Sequence, residues 1–140
     1  MLFTSLVAAT LLSAAQAIDV QVVYVGWNPA NNATGSQFWP SSLKAEPGSM
    51  VQFQFWTGNH TVTQSSFDKP CTPLEATPGA GNSSAPTPGI NSGYQPVDES
   101  MPDGELPTYT VWVNDTKPLW FYCAQGTHCQ GGMAMVINAE

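Results

Sequence analysis

The clearest order in this chain has a period of two. Met50 to Trp56 alternates, with Val51, Phe53 and Phe55 on one side and Gln52, Gln54 and Trp56 on the other. Aromatic and β-branched residues at that period predict a half-buried strand. Further short strands are predicted at "DVQVVYV" (19–25), "HTVTQ" (60–64), "TYTVWV" (108–113), "PLWFYC" (118–123) and "MAMVINA" (133–139). Between them, "WNPANNATGS" (27–36) reads as a loop of turn formers and "AEPGS" (45–49) as a Pro-Gly turn. From Ser65 to Pro107 the alternation fades and Pro, Gly, Ser and Asn dominate, with one short helical turn expected around Asp98–Met101. An insert of that length is unusual inside a compact domain. No helical period of useful length and no internal repeat occurs. Short strands joined by turn-rich loops predict an all-β fold, an antiparallel Greek-key sandwich or barrel with one long irregular loop.

The opening of the chain follows another pattern. Leu2 to Leu12 is an apolar run, and small residues follow it to Ala15-Gln16-Ala17. This predicts a signal peptide over 1–17 and a single mature domain over 18–140. The run is too short to span a bilayer. Four N-x-[ST] sequons, at Asn32, Asn59, Asn82 and Asn114, agree with export. The expected location is secreted, extracellular or associated with the cell wall.

Charge narrows the class of partner. Lys44, Lys69 and Lys117 face ten carboxylates, there is no arginine, and the net charge is −7. Nucleic acid is excluded as a partner, because phosphate backbones need clustered positive charge.

The cysteines and histidines carry the candidate chemistry. Three cysteines in an exported chain cannot all pair within it. One disulfide plus one metal-held thiolate is the most economical arrangement; a bridge from Cys123 to either Cys71 or Cys129 competes with it. The stretch "YCAQGTHCQGGM" (122–133) places Cys123, His128 and Met133 as C-x4-H-x4-M between two predicted strands. The other histidine, His60, lies at an earlier strand. Two imidazoles, one thiolate and a weak axial thioether form the donor set of a blue copper site. His60, Cys123, His128 and Met133 are therefore the candidate ligands of one copper ion, cycling between Cu(II) and Cu(I). Met135 shares the inward parity of Met133, but its spacing from His128 suits core packing better. The same alternation puts Phe121 on the side of Cys123, with Trp120 and Tyr122 opposite.

At these residues the chain resembles a known family. "FWPSSLKAEPGSMVQFQFW", "NHTVTQSSFDKPC" and "PLWFYCAQGTHCQGGMAMVIN" are similar to the cupredoxin domain of fungal extracellular proteins, related to the plant phytocyanins. The likeness runs from about Asp19 to Asn138 and is weakest across 72–107. It implies a cupredoxin fold, copper on the four residues above, and a Cys71–Cys129 disulfide. It also implies one-electron transfer, with His128 as the port for a redox partner protein or small redox molecule. Fungal relatives often continue into a Ser-rich region and a GPI signal, so an anchor here would need a continuation past Glu140. Asn59, directly before His60, is expected to stay unmodified and to hydrogen-bond between the ligand loops. Asn32, Asn82 and Asn114 are the better glycan acceptors.

Catalysis is not expected. Cys123 and His128 stand five positions apart across a turn, which is not the spatially assembled pair of a cysteine hydrolase, and neither G-x-S-x-G nor H-E-x-x-H occurs. A site filled by four protein donors keeps no open position for substrate. The alternative reading is an extracellular copper-sequestering or cell-surface interaction module without a dedicated electron-transfer role. A monomer is expected in either case.

Overall fold

A computed structural model describes residues 17–75, 88–98 and 104–140. Most of the leader, the Asn82 sequon and positions 99–101 of the expected helical turn lie outside the described residues. Ten strands are described: β1 (Val20–Asn28), β2 (Ala33–Trp39), β3 (Ser42–Leu43), β4 (Met50–Phe55), β5 (Gly58–His60), β6 (Thr63–Ser65), β7 (Gln95–Val97), β8 (Thr108–Trp112), β9 (Leu119–Tyr122) and β10 (Ala134–Ile137). There is no helix among the described residues. Two four-stranded sheets, ordered β2-β1-β4-β8 and β3-β10-β9-β6, enclose one core, and β5 pairs with β7 in a small third sheet.

The period-two pattern explains the core. Val51, Phe53 and Phe55 of β4 are fully buried, as are Val23 and Val25 of β1. From the facing sheet come Phe121, Met135 and Ile137. Phe53 joins the two layers, its ring meeting Phe38 at 6.2 Å and Phe121 at 5.7 Å, both edge-on. Such edge contacts suit the aromatic quadrupole and add to the burial of the rings.

Three expectations about organisation need correction. The sandwich is not wholly antiparallel, because β1 pairs with β4 and β3 with β10 in parallel. The chain leaves one sheet, contributes β3 to the other, and returns beside β1 in the same direction. Residues 27–36 are not a loop. β1 runs on to Asn28, β2 starts at Ala33, and Trp27 faces Thr34 across a hairpin. Asparagine side chains close its turn: Asn28 Oδ1 accepts the Ala30 N–H, Asn31 Oδ1 accepts the Ala33 N–H, and Asn32 sits at φ 58°. Local side-chain bonding of this kind replaces ladder bonds at a turn. The expected strand over 60–64 is split into β5 and β6. The long insert also contributes an element, since β7 pairs Gln95 with His60.

Candidate metal centre

The site is assembled where β9 meets β10 and where β5 approaches β1. Cys123 follows β9, is 1% exposed, and carries the chain's free thiol. Its N–H donates to the Met133 carbonyl at 3.1 Å, which extends the β9–β10 pairing one step. Beyond it the chain winds through successive turns. His128 N–H donates to Gln125 C=O (3.0 Å), Gly131 N–H to Thr127 C=O (3.0 Å) and Met133 N–H to His128 C=O (2.9 Å). These bonds fold the loop back so that His128 stands over Cys123. A Cys71–Cys129 disulfide, with Cα atoms 5.8 Å apart, ties the loop to the turn at 69–72.

His60 is mounted differently. The β1–β2 register shifts between Val25 and Trp27, a bulge centred on Gly26 at φ +84°. Trp56 N–H donates to Val25 C=O and Thr57 Oγ1 to Gly26 C=O, at 2.9 and 2.7 Å. A Cβ on Gly26 would lie 2.6 Å from the Thr57 carbonyl oxygen and 3.0 Å from His60 Nε2. Only glycine leaves room there for the Thr57 turn and the imidazole together.

The outcome is a triangle of donor atoms. His60 Nδ1 lies 3.2 Å from His128 Nδ1, and Cys123 Sγ lies 3.7 and 3.5 Å from those two nitrogens. Among the described residues no carboxylate joins the cluster. A point equidistant from the three corners is about 2.0 Å from each, close to a first-row metal–imidazole bond length. Met133 is fully buried, and its backbone bonds to both Cys123 and His128. Met135 lies in the core opposite Phe121. The residues fit a copper ion: soft sulfur and imidazole in a closed, uncharged setting.

Electrostatics favour the same use. The His60 pKa is pushed down to about 4, first by burial and then by His128, while a backbone hydrogen bond at Thr57 works the other way. A ring that resists protonation keeps its lone pair for a metal, since proton and metal compete for it. His128 is half-exposed.

The bridging role expected of Asn59 is not observed. Its Oδ1 is buried and has no hydrogen-bond partner among the described residues. Thr61 makes the bridge instead: its N–H points at Cys123 Sγ (3.4 Å), and its Oγ1 accepts the Ala124 N–H at 2.8 Å. Thr61 is 2% exposed and lies between β5 and β6, where its polar atoms meet the segment after Cys123. Gly26, Thr57 and Thr61 escaped the sequence reading. The only signal for Thr61 was a hydroxyl residue directly after a candidate ligand.

No family model matches the chain. Among curated proteins, it is 34% identical over 134 residues to an "Extracellular serine-rich protein" of Arthroderma benhamiae, covering 96% of this chain and 43% of the relative. It is 29% identical over 135 residues to a "Probable GPI-anchored cupredoxin-1" of the same fungus, covering 94% and 56%. The chain thus spans about half the length of the curated relatives it matches. Among solved structures, a purple cupredoxin from Nitrosopumilus maritimus superposes with TM-score 0.53 at 12% identity, over 84% of this chain and 96% of that one. Reduced rusticyanin gives TM-score 0.50 at 17% identity, over 87% and 80%. The chain has a cupredoxin-like fold, and its sequence is similar to these two fungal proteins. The His60, Cys123 and His128 donors, gathered in this fold, support one copper ion.

Proposed function

We propose that this cupredoxin-like chain is a secreted carrier of single electrons, exchanged with a redox protein or a small redox molecule. The observation that carries the reading is the buried free thiol of Cys123 within 3.7 Å of two imidazole nitrogens. In this reading His60 and His128 would hold copper through Nδ1, Cys123 would supply a thiolate, and Met133 would supply a weak thioether. Copper so held supplies a Cu(II)/Cu(I) couple. The chain's part is to keep its donors still while the charge changes. Gly26 and Thr57 fix the His60 ring, Thr61 ties Cys123 to the strand region of His60, and the disulfide holds the His128 loop. Four protein donors leave no place for a substrate, so the role is a carrier and not an enzyme.

His128 is the port. Beside it lies a groove of about 390 Å³ whose walls include Thr34, Ser36, Asn59 and Gln125, and none of the described residues lining it is charged. A partner can approach such a surface without stripping water from ions, and transfer rates gain from short distance. The leader 1–17 is removed on export, the mature domain spans 18–140, it acts as a monomer, and Asn32, Asn82 and Asn114 accept glycans on the export route. Mixing the copper-loaded protein with a small soluble redox protein tests the carrier role by stopped flow. Rapid, reversible exchange is the expected result. Slow exchange with tight retention of copper overturns it in favour of copper sequestration.

A further inference from the structure

The end of the β2-β1-β4-β8 sheet farthest along β8 exposes apolar surface. Val20 pairs with Met50, and Met50 with Trp112, so the three form one row across β1, β4 and β8. Their neighbours Val51 and Val111 are buried inward, which puts the row on the outer face. Val20 is 46% exposed and Trp112 is 52% exposed. The adjacent row on that face, Val22–Gln52–Thr110, offers an amide and a hydroxyl and no charge.

The chain stays extended just past this row. Val113 N–H donates to Ser49 C=O at 3.0 Å and Val113 C=O accepts the Gly48 N–H at 2.8 Å. Val113 is 1% exposed, so Asn114 returns to the outer face and is exposed. Residues two apart on an extended strand stand about 7 Å from each other on the same face. Asn114-Asp115-Thr116 is a sequon, and Trp112 is the residue two before it.

We propose that Asn114 carries an N-glycan whose first N-acetylglucosamine lies across the Trp112 indole and covers the Val20–Met50–Trp112 row. The inference rests on the export proposed above. In the attachment, Asn114 Nδ2 forms a bond to the anomeric carbon of a lipid diphosphate-linked oligosaccharide. The bond from that carbon to the diphosphate oxygen breaks, the lipid diphosphate leaves, the amide gives up one proton, and no redox change occurs. The axial C–H face of the sugar is apolar and meets the π-face of the indole, removing both from water. Its hydroxyls and acetamide can reach the Gln52 and Thr110 row. The other described sequons lack this arrangement. Position 30, two before Asn32, is alanine, and the Asn32 Oδ1 is taken by Trp27 Nε1 at 2.8 Å. The Asn59 Oδ1 is buried.

The full chain expressed in a eukaryotic secretory host tests the proposal, with glycopeptide mass spectrometry and thermal unfolding as readouts. Asn114 should be occupied, and Asn114→Gln should lower the Tm by about 3 °C. Trimming to a single sugar should retain that gain, because the first residue makes the contact. In a Trp112→Ala background the gain should vanish, and Trp112→Tyr should restore part of it. Chain recovered from the medium with Asn114 bare overturns the glycan while leaving export intact. Chain retained in the cell and unmodified overturns export and this proposal together. An occupied Asn114 whose Tm gain is unchanged by Trp112→Ala overturns the stacking.

Discussion

The two histidines are held in opposite ways. His60 is 3% exposed and is fixed by fit: a bulge in β1, a turn at Thr57 and a glycine where no side chain can stand. His128 is half-exposed and sits in a loop whose order comes from consecutive turns and one crosslink. A buried ligand gains rigidity from its neighbours. A ligand that must reach a partner gives up those neighbours and needs a covalent tether in their place. In the proposed function, the difference therefore separates the side of the site that sets geometry from the side offered to a partner.

Removing the tether should have the largest effect on stability. In the chain-entropy account, a crosslink between positions 58 apart contributes about 4 kcal/mol. Cys71→Ser with Cys129→Ser should lose about that much in urea unfolding, and a loss under about 1 kcal/mol would show that the loop holds itself. The next effect comes from the buried histidine. His60 is neutral in the folded chain down to about pH 4, whereas an unfolded histidine titrates near 6.5. Above 6.5 both states are neutral and nothing is lost. As pH falls from 6.5 towards 4, the unfolded chain takes up a proton that the folded chain refuses. Stability of the metal-free protein should drop through that window, by about 3 kcal/mol at the bottom. His60→Gln should flatten this part of the curve; an unchanged slope would contradict the assignment.

The mount of His60 gives the third test. Gly26→Ala places a Cβ against Thr57 and strains a left-handed residue, at a cost of about 2 kcal/mol. Copper affinity should fall about 10- to 100-fold with it, as for loss of an outer contact. Gly126→Ala in the His128 loop meets no atom within 4 Å. At φ +49° it carries backbone strain of about 1 kcal/mol but no clash with a ligand, and should lower affinity less than Gly26→Ala does. Equal effects of the two substitutions would erase the contrast. The smallest effect is expected for Thr61→Val, which leaves the Ala124 N–H without its acceptor and should cost about 1 kcal/mol. Because the hydroxyl also meets Thr63 Oγ1 at 2.8 Å, Thr63→Val should couple to it in a double-mutant cycle.

What could be read from the sequence follows the same division. Cys123, His128 and Met133 were legible because they lie within eleven consecutive positions and their residue types are scarce in this chain. Strands such as β4 and β9 were legible because burial on one face imposes a period of two. The supports of His60 were not, since each acts at long range. Thr57 reaches Gly26 across 31 positions, and Thr61 reaches Ala124 across 63. Asn59 misled for the converse reason: adjacency to His60 suggested a bridge that the fold gives to Thr61. The hairpin at Asn28–Ala33 was hidden because its asparagines read equally well as loop or as tight turn. Parallel pairing of β1 with β4 depends on the path of the chain between sheets, which no local pattern records.

The absorption spectrum of the purified chain loaded with Cu(II), taken beside that of Cys123→Ser, tests the central claim most directly. The account predicts an intense blue band from thiolate-to-copper charge transfer in the parent chain and its complete loss in the variant. A variant that stays blue, or a parent chain that binds copper one-to-one and remains colourless, would contradict it.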